Sequence, residues 1–159
     1  VRAPKFSLIV AALAALAVGV APIASAAPTS AEQAAAAPSV SFRSGGHDGF
    51  DRVVFEFAGT NAPTKFTWKA IDTNRPAWGP SGEPVENLSG KYFLHIAAES
   101  PRVTVTGKNP ASYSHSNVKG AVVNDPGHGG TIELAVGLAR NKSYTVKPEG
   151  KKLIIDIKH

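Results

Sequence analysis

Apolar and polar side chains alternate with period two in run after run between residues 51 and 158, and that pattern leaves little room for anything but strands. In 51–58, Val53, Phe55 and Phe57 fall on one side and Arg52 and Glu56 on the other. In 65–71, Phe66, Trp68 and Ala70 alternate with Lys65, Thr67 and Lys69. The same holds for Tyr92, Leu94 and Ile96, for Val103 and Val105, for Ile132, Leu134, Val136 and Leu138, and for Leu153, Ile155 and Ile157. Successive side chains of a strand point to opposite faces, so this spacing predicts half-buried strands. Trp68, on an apolar side, is expected in the core, as is Phe50.

Turn chemistry separates the runs. Ser44-Gly45-Gly46, the segment 59–63, Pro80-Ser81-Gly82, Ser89-Gly90, the segment 107–110, Pro126-Gly127-His128-Gly129-Gly130 and Glu149-Gly150 all interrupt the backbone. About eight or nine mostly antiparallel strands joined in this way predict an all-β fold, a β-sandwich or flattened barrel. Residues 133–139 (ELAVGLA) fit a short helix by propensity, but their alternation and Gly137 favour a strand.

The N-terminus reads differently. Arg2 and Lys5 precede an apolar stretch, 6–21, and Ala24-Ser25-Ala26 supplies a small-x-small cleavage site. Residues 1–26 are therefore expected to be a signal peptide. Residues 27–39 are an Ala/Pro-rich linker with almost no large apolar side chain, and the domain is expected over 40–159. The chain has no cysteine, so packing alone must hold an exported domain together. Its formal charge is +5, of which Arg2 and Lys5 contribute two. Six cations from Arg140 to Lys158 face only Glu149 and Asp156. Such a bias attracts anionic wall polymers, or simply keeps strands soluble and edges unpaired. An exported chain without an aromatic-basic motif makes nucleic acid a poor partner.

The segment SFRSGGHDGFDRVVFEF (41–57) carries a resemblance, together with SGEPVENLSG (81–90), IELAVGL (132–138) and SYTVKPEGKKLIIDI (143–157). Their order resembles the AMIN-like domain of exported actinobacterial proteins, and more distantly the AMIN modules of cell-wall amidases and pilus secretins. The resemblance covers nearly all of 40–159. It implies an all-β, non-catalytic domain directed to the envelope and its peptidoglycan. The lipid-attachment Cys of many relatives is missing, which implies a freely secreted form.

Candidate site residues follow. His47, Asp48, Asp51 and Arg52 cluster at the start of a strand. They suit a polar binding corner whose guanidinium forks onto a carboxylate, phosphate or acetyl group. They equally suit a turn whose side chains fix the strand that follows. Trp78 and Tyr113, on Pro-containing loops, suit aromatic platforms for a sugar face, or lids over the sandwich. His95 and His115 read as surface or rim residues.

DPGHGG (125–130) matches the opening of zinc-dependent N-acetylmuramoyl-L-alanine amidases, where the His binds zinc. A catalytic zinc needs about three protein ligands. Glu133, Glu149, Asp156 and His159 stand at none of the required spacings, so a hairpin turn is expected and no metal or cofactor. No Gly-x-Ser-x-Gly elbow and no phosphate-binding loop is present.

The expectation is a secreted or cell-wall-associated, non-catalytic module that binds peptidoglycan or another cell-wall polymer and meets the membrane only during export. The alternatives are docking onto an envelope protein and, remotely, zinc-dependent hydrolysis through His128.

Overall fold

Strands β1 (Ser39–His47) and β2 (Phe50–Ala58) form a hairpin around Asp48-Gly49. Gly49 adopts φ 78°, a left-handed conformation that glycine takes at no steric cost. There follow β3 (Phe66–Ile71), β4 (Tyr92–Glu99), β5 (Thr104–Val105), β6 (Ala111–Ser112), β7 (Val118–Asn124), β8 (Thr131–Leu138), β9 (Tyr144–Glu149) and β10 (Lys152–Lys158). The structure, a computed structural model, describes residues 38–59, 63, 65–71, 76–79, 81–100, 102–124 and 130–159. No helix occurs among them. The expected signal peptide, the linker through residue 37, and 125–129 with His128 lie outside the described residues.

The strands form two open five-stranded sheets. The first has the order β5-β1-β2-β10-β9 and the second β3-β4-β8-β7-β6. Among the described strands only the β1–β5 pairing is parallel. The fold is thus the expected all-β sandwich; neither sheet closes on itself, so the flattened-barrel alternative falls. Two strands of two residues, β5 and β6, bring the strand number among the described residues to ten.

One core cluster draws on both sheets. Val53, Phe55, Phe57, Leu153, Ile155 and Ile157 from the first meet Leu94, Ile96, Ile132, Leu134 and Val136 from the second. Burying each such side chain contributes about 1.5–3 kcal/mol.

Four local expectations change. Trp68 is 43% exposed: β3 is an edge strand that pairs only with β4. Phe50 is half-buried rather than core, because it precedes the inward-pointing Asp51 and so faces out. His95 is buried. In β8 the alternation is present, but both of its faces are buried, because residues from 76–79 and 81–90 lie over the outer one.

Candidate functional site

The predicted corner splits in two because neighbouring strand residues face opposite ways. His47 and Arg52 lie on the outer face of the first sheet, and Asp48 is exposed in the turn. In register across three strands run His47, Phe50 and Lys158. The His47 and Phe50 rings stack with centroids 4.7 Å apart and 10° between planes. Arg52 Cζ stands 5.4 Å and Lys158 Nζ 5.7 Å from the Phe50 centroid, each within cation–π range.

Arg52 also donates to both carboxylate oxygens of Asp156, from Nε at 2.6 Å and Nη2 at 2.7 Å. This fork holds the Asp156 carboxyl below its ordinary pKa and raises that of Arg52. Phe50, Ser143, Tyr144, Thr145, Asp156 and Lys158 line an adjacent hollow of about 210 Å³.

The rest of this face is a ladder of exposed ion pairs. Arg43 and Lys152 flank Glu56 at 2.7 and 3.5 Å, and Lys147 meets Glu149 at 3.0 Å. Both carboxyls are lowered, Glu56 chiefly by its hydrogen bond from Arg43 and Glu149 by that from Lys147. Arg43, Arg52, Lys147, Lys152 and Lys158 outnumber Glu56, Glu149 and Asp156, so the face is net basic.

Asp51 points inward and is 1% exposed. Its Oδ2 accepts the backbone N–H groups of Asn117 at 2.6 Å and Val118 at 2.8 Å. Asn117, fully buried, donates from Nδ2 to Lys158 O and accepts at Oδ1 from the Arg140 N–H. Together they tie β2 and β10 of one sheet to β7 and the end of β8 in the other. The His159 Nε2 lies 3.8 Å from Asp51 Oδ1.

Tyr113 joins the same end of the sandwich. Its ring stacks on His115, centroids 5.6 Å apart at 16°, and burial raises its hydroxyl pKa. A Cβ added at Gly46 would lie 3.6 Å from His115 Nδ1 and 3.7 Å from Asp51 Oδ1, so the two groups sit together behind β1.

Trp78 belongs elsewhere, in a roof of residues 76–79 and 81–90 over the outer face of the second sheet. It is 7% exposed and packs with Val85, Leu88, Val122 and Ala135. The Trp78 N–H donates to Glu83 O, and Val85 N–H to Pro76 O, closing the roof on itself. Beneath it lies a buried pair that sequence reasoning missed. Glu133 Oε1 accepts the Gly79 N–H at 2.7 Å and lies 2.8 Å from His95 Nε2, and Trp78 leans on the His95 ring at 6.2 Å. A carboxylate on the polar side of a strand gives no local sign that a distant loop will cover it.

No curated protein and no solved structure matches the chain. A family model does: the AMIN-like domain, over residues 37–159. That match spans the whole of the described sandwich, from the start of β1 to the end of β10, and the chain belongs to the AMIN-like domain family.

Proposed function

We propose that this domain binds a polymer of the bacterial envelope, with peptidoglycan as its ligand, by surface contacts and without a reactive centre. The observation that carries this reading is the row His47, Phe50 and Lys158 on the outer face of the first sheet, with the Arg52–Asp156 pair beside it. An aromatic ring framed by imidazole, guanidinium and ammonium groups suits a ligand that mixes apolar sugar faces with carboxylates. Asp48 stands at its rim as an acceptor. Trp78 and Tyr113 serve as supports, one holding the roof and the other backing the hairpin through His115. Membership of the AMIN-like family supports an envelope-associated binding role, and export through residues 1–26 would place the domain there. Docking onto an envelope protein by strand addition meets an obstacle at the β9 edge, where Pro148 lacks an N–H and Lys147 is charged.

Co-sedimentation with purified sacculi tests the reading. The protein should pellet at about 0.01 M ionic strength and be partly released at about 1 M, where screening shortens from about 30 to about 3 Å. Removing His47, Phe50 and Lys158 together should abolish pelleting. Wild-type protein left wholly in the supernatant at low salt would sink the proposal.

A further inference from the structure

We infer that the hollow beside Phe50 takes the free head of an α-amino acid, an ammonium and a carboxylate borne on one carbon; this rests on the envelope reading and assigns the outer face of the first sheet to the peptide part of the polymer. The register puts the lining side chains on one face. Phe50 pairs with Lys158 and Arg52 with Asp156, and on the other side of β10 Asp156 pairs with Thr145. The Lys158 N–H donates to Ser143 O and extends the first row to Ser143. Directly opposed antiparallel residues project to the same side. Phe50, Lys158 and Ser143 thus form one row, and Arg52, Asp156 and Thr145 the next. All of them but Arg52 line the hollow of about 210 Å³. Pockets for drug-sized ligands run to about 300–1,000 Å³, so this one suits a single small unit.

The charges in the hollow are mixed. Residues two apart on a strand stand about 6.8 Å apart, and neighbouring strands about 4.8 Å. Lys158, Asp156, Ser143 and Thr145 therefore mark the corners of a patch of about 5 by 7 Å, with a cation at one corner, an anion at the next and hydroxyls at the other two. Arg52 donates to Asp156 Oδ1 at 2.6 Å and Oδ2 at 2.7 Å. That fork uses two of the roughly four lone-pair sites of a carboxylate and leaves two for another donor. The Asp156 side chain is 28% exposed, so a ligand can reach it. The same fork holds its carboxyl below the ordinary pKa and keeps it ionised.

An amino-acid head supplies the complement to each corner. Its ammonium donates to Asp156, and its carboxylate accepts from Lys158, both as charge-assisted bonds. A hydroxyl donates to a carboxylate or accepts from an ammonium, so Ser143 and Thr145 serve either end. The Phe50 ring walls the site on the far side of Lys158, whose Nζ lies 5.7 Å from its centroid. A neutral sugar has no charge to set against either corner, and a plain anion leaves Asp156 unmatched. In peptidoglycan the matching group is the uncrosslinked end of a diamino diacid.

Titration of the purified protein with meso-diaminopimelate, read by amide chemical shifts, tests the inference. The Ser143, Thr145, Asp156 and Lys158 amides should move together and saturate with a Kd of about 1–10 mM. Acetylating both amino groups of the probe, or amidating both carboxylates, should weaken binding about tenfold. Asp156→Asn should weaken the free probe about tenfold yet bind the acetylated one at least as well as wild type, because Arg52 is then free to take a carboxylate. A residue that only braced the sheet would change both alike. Lys158→Met should weaken both probes. Sacculi with acetylated amino groups should pellet less protein than untreated ones, and equal pelleting would overturn the assignment to the polymer's peptide. An acetylated probe that binds wild type as tightly as the free one would overturn the inference and make the hollow a carboxylate site. Sacculi that pellet wild-type protein while the free probe moves no amide would overturn it and leave the envelope reading standing. Protein that neither pellets nor responds to the probe would overturn both.

Discussion

Asp51 has the most consequential side chain at the hairpin end, although it touches no solvent. Both of its close donors, the N–H groups of Asn117 and Val118, reach the same oxygen. Asp51→Ala strands two buried donors, each costing about 1–3 kcal/mol. We expect it to lower stability by about 3 kcal/mol or more, read as the urea midpoint at constant m. Asp51→Asn keeps an acceptor in place and should cost less than half as much. An alanine variant within about 0.5 kcal/mol of wild type would refute the assignment. The sequence singled out Asp51 and Arg52 as ionisable neighbours at a strand start, and period two says they face opposite ways. The same alternation puts Asp51 on the side of Val53, Phe55 and Phe57, but it does not show that Asn117 and Val118 supply the donors there. Trp68 fails for a related reason: alternation puts it on the apolar side, but only the sheet order reveals that β3 is an edge.

Among the elements, β8 and the roof are read least well from sequence and yield the sharpest tests. The strand itself was legible, since Ile132, Leu134, Val136 and Leu138 alternate and all reach the core. Its other face was not, because the roof arrives from 76–79 and 81–90, more than forty residues earlier, and only the fold brings the two together. Gly120 and Gly137 face each other in register and make room for Leu88 and Ser89. A Cβ at Gly137 would lie 1.9 Å from Ser89 O. Gly137→Ala should therefore lift the roof, at about 1–3 kcal/mol for overpacking. The readouts are red-shifted Trp78 emission and faster exchange of the Gly79 and Val85 amides; an unchanged pattern would refute the close approach.

The ion-pair ladder of the first sheet gives a pH prediction. Glu56, Glu149 and Asp156 have carboxyl pKa values lowered on folding by Arg43, Lys147 and Arg52 respectively. A lowered folded-state value stabilises above the unfolded one, about 3.9–4.3, and that contribution is lost as pH falls through the folded one. Stability should thus decline below about pH 4, and Arg52→Met or about 1 M salt should make the decline shallower. The groups are exposed or, at Asp156, half-exposed, so the effect is small. An acid limb in urea titrations that ignores both changes would show the ladder to be neutral.

At the scale of the whole molecule, the order of the strands matters more than their number, and local alternation carries no information about it. Two half-buried strands look alike whether they lie in the middle of a sheet or at its rim, and whether their partners are four residues away or a hundred. Here β10, last in the chain, lies between β2 and β9, and Arg52 reaches across 104 residues to Asp156. Leu153, Ile155 and Ile157 are all fully buried in the shared core. The first sheet therefore cannot be completed until the C-terminal strand exists, and no disulfide bridges the gap, since the chain has no cysteine. Closing so long a loop is slow: refolding should take milliseconds to seconds, as for other sandwiches rich in distant pairings. Cutting the chain after Ser143 removes β9 and β10, exposes the flank of β2, and strips one wall from the core. That fragment should show no cooperative thermal transition by circular dichroism. Adding a peptide of residues 144–159 should restore one, because the peptide brings back both the ladder partner of β2 and the missing apolar wall. A truncated chain that melts cooperatively alone would mean that the second sheet and the β1–β2 hairpin suffice, and that β10 joins a core already formed.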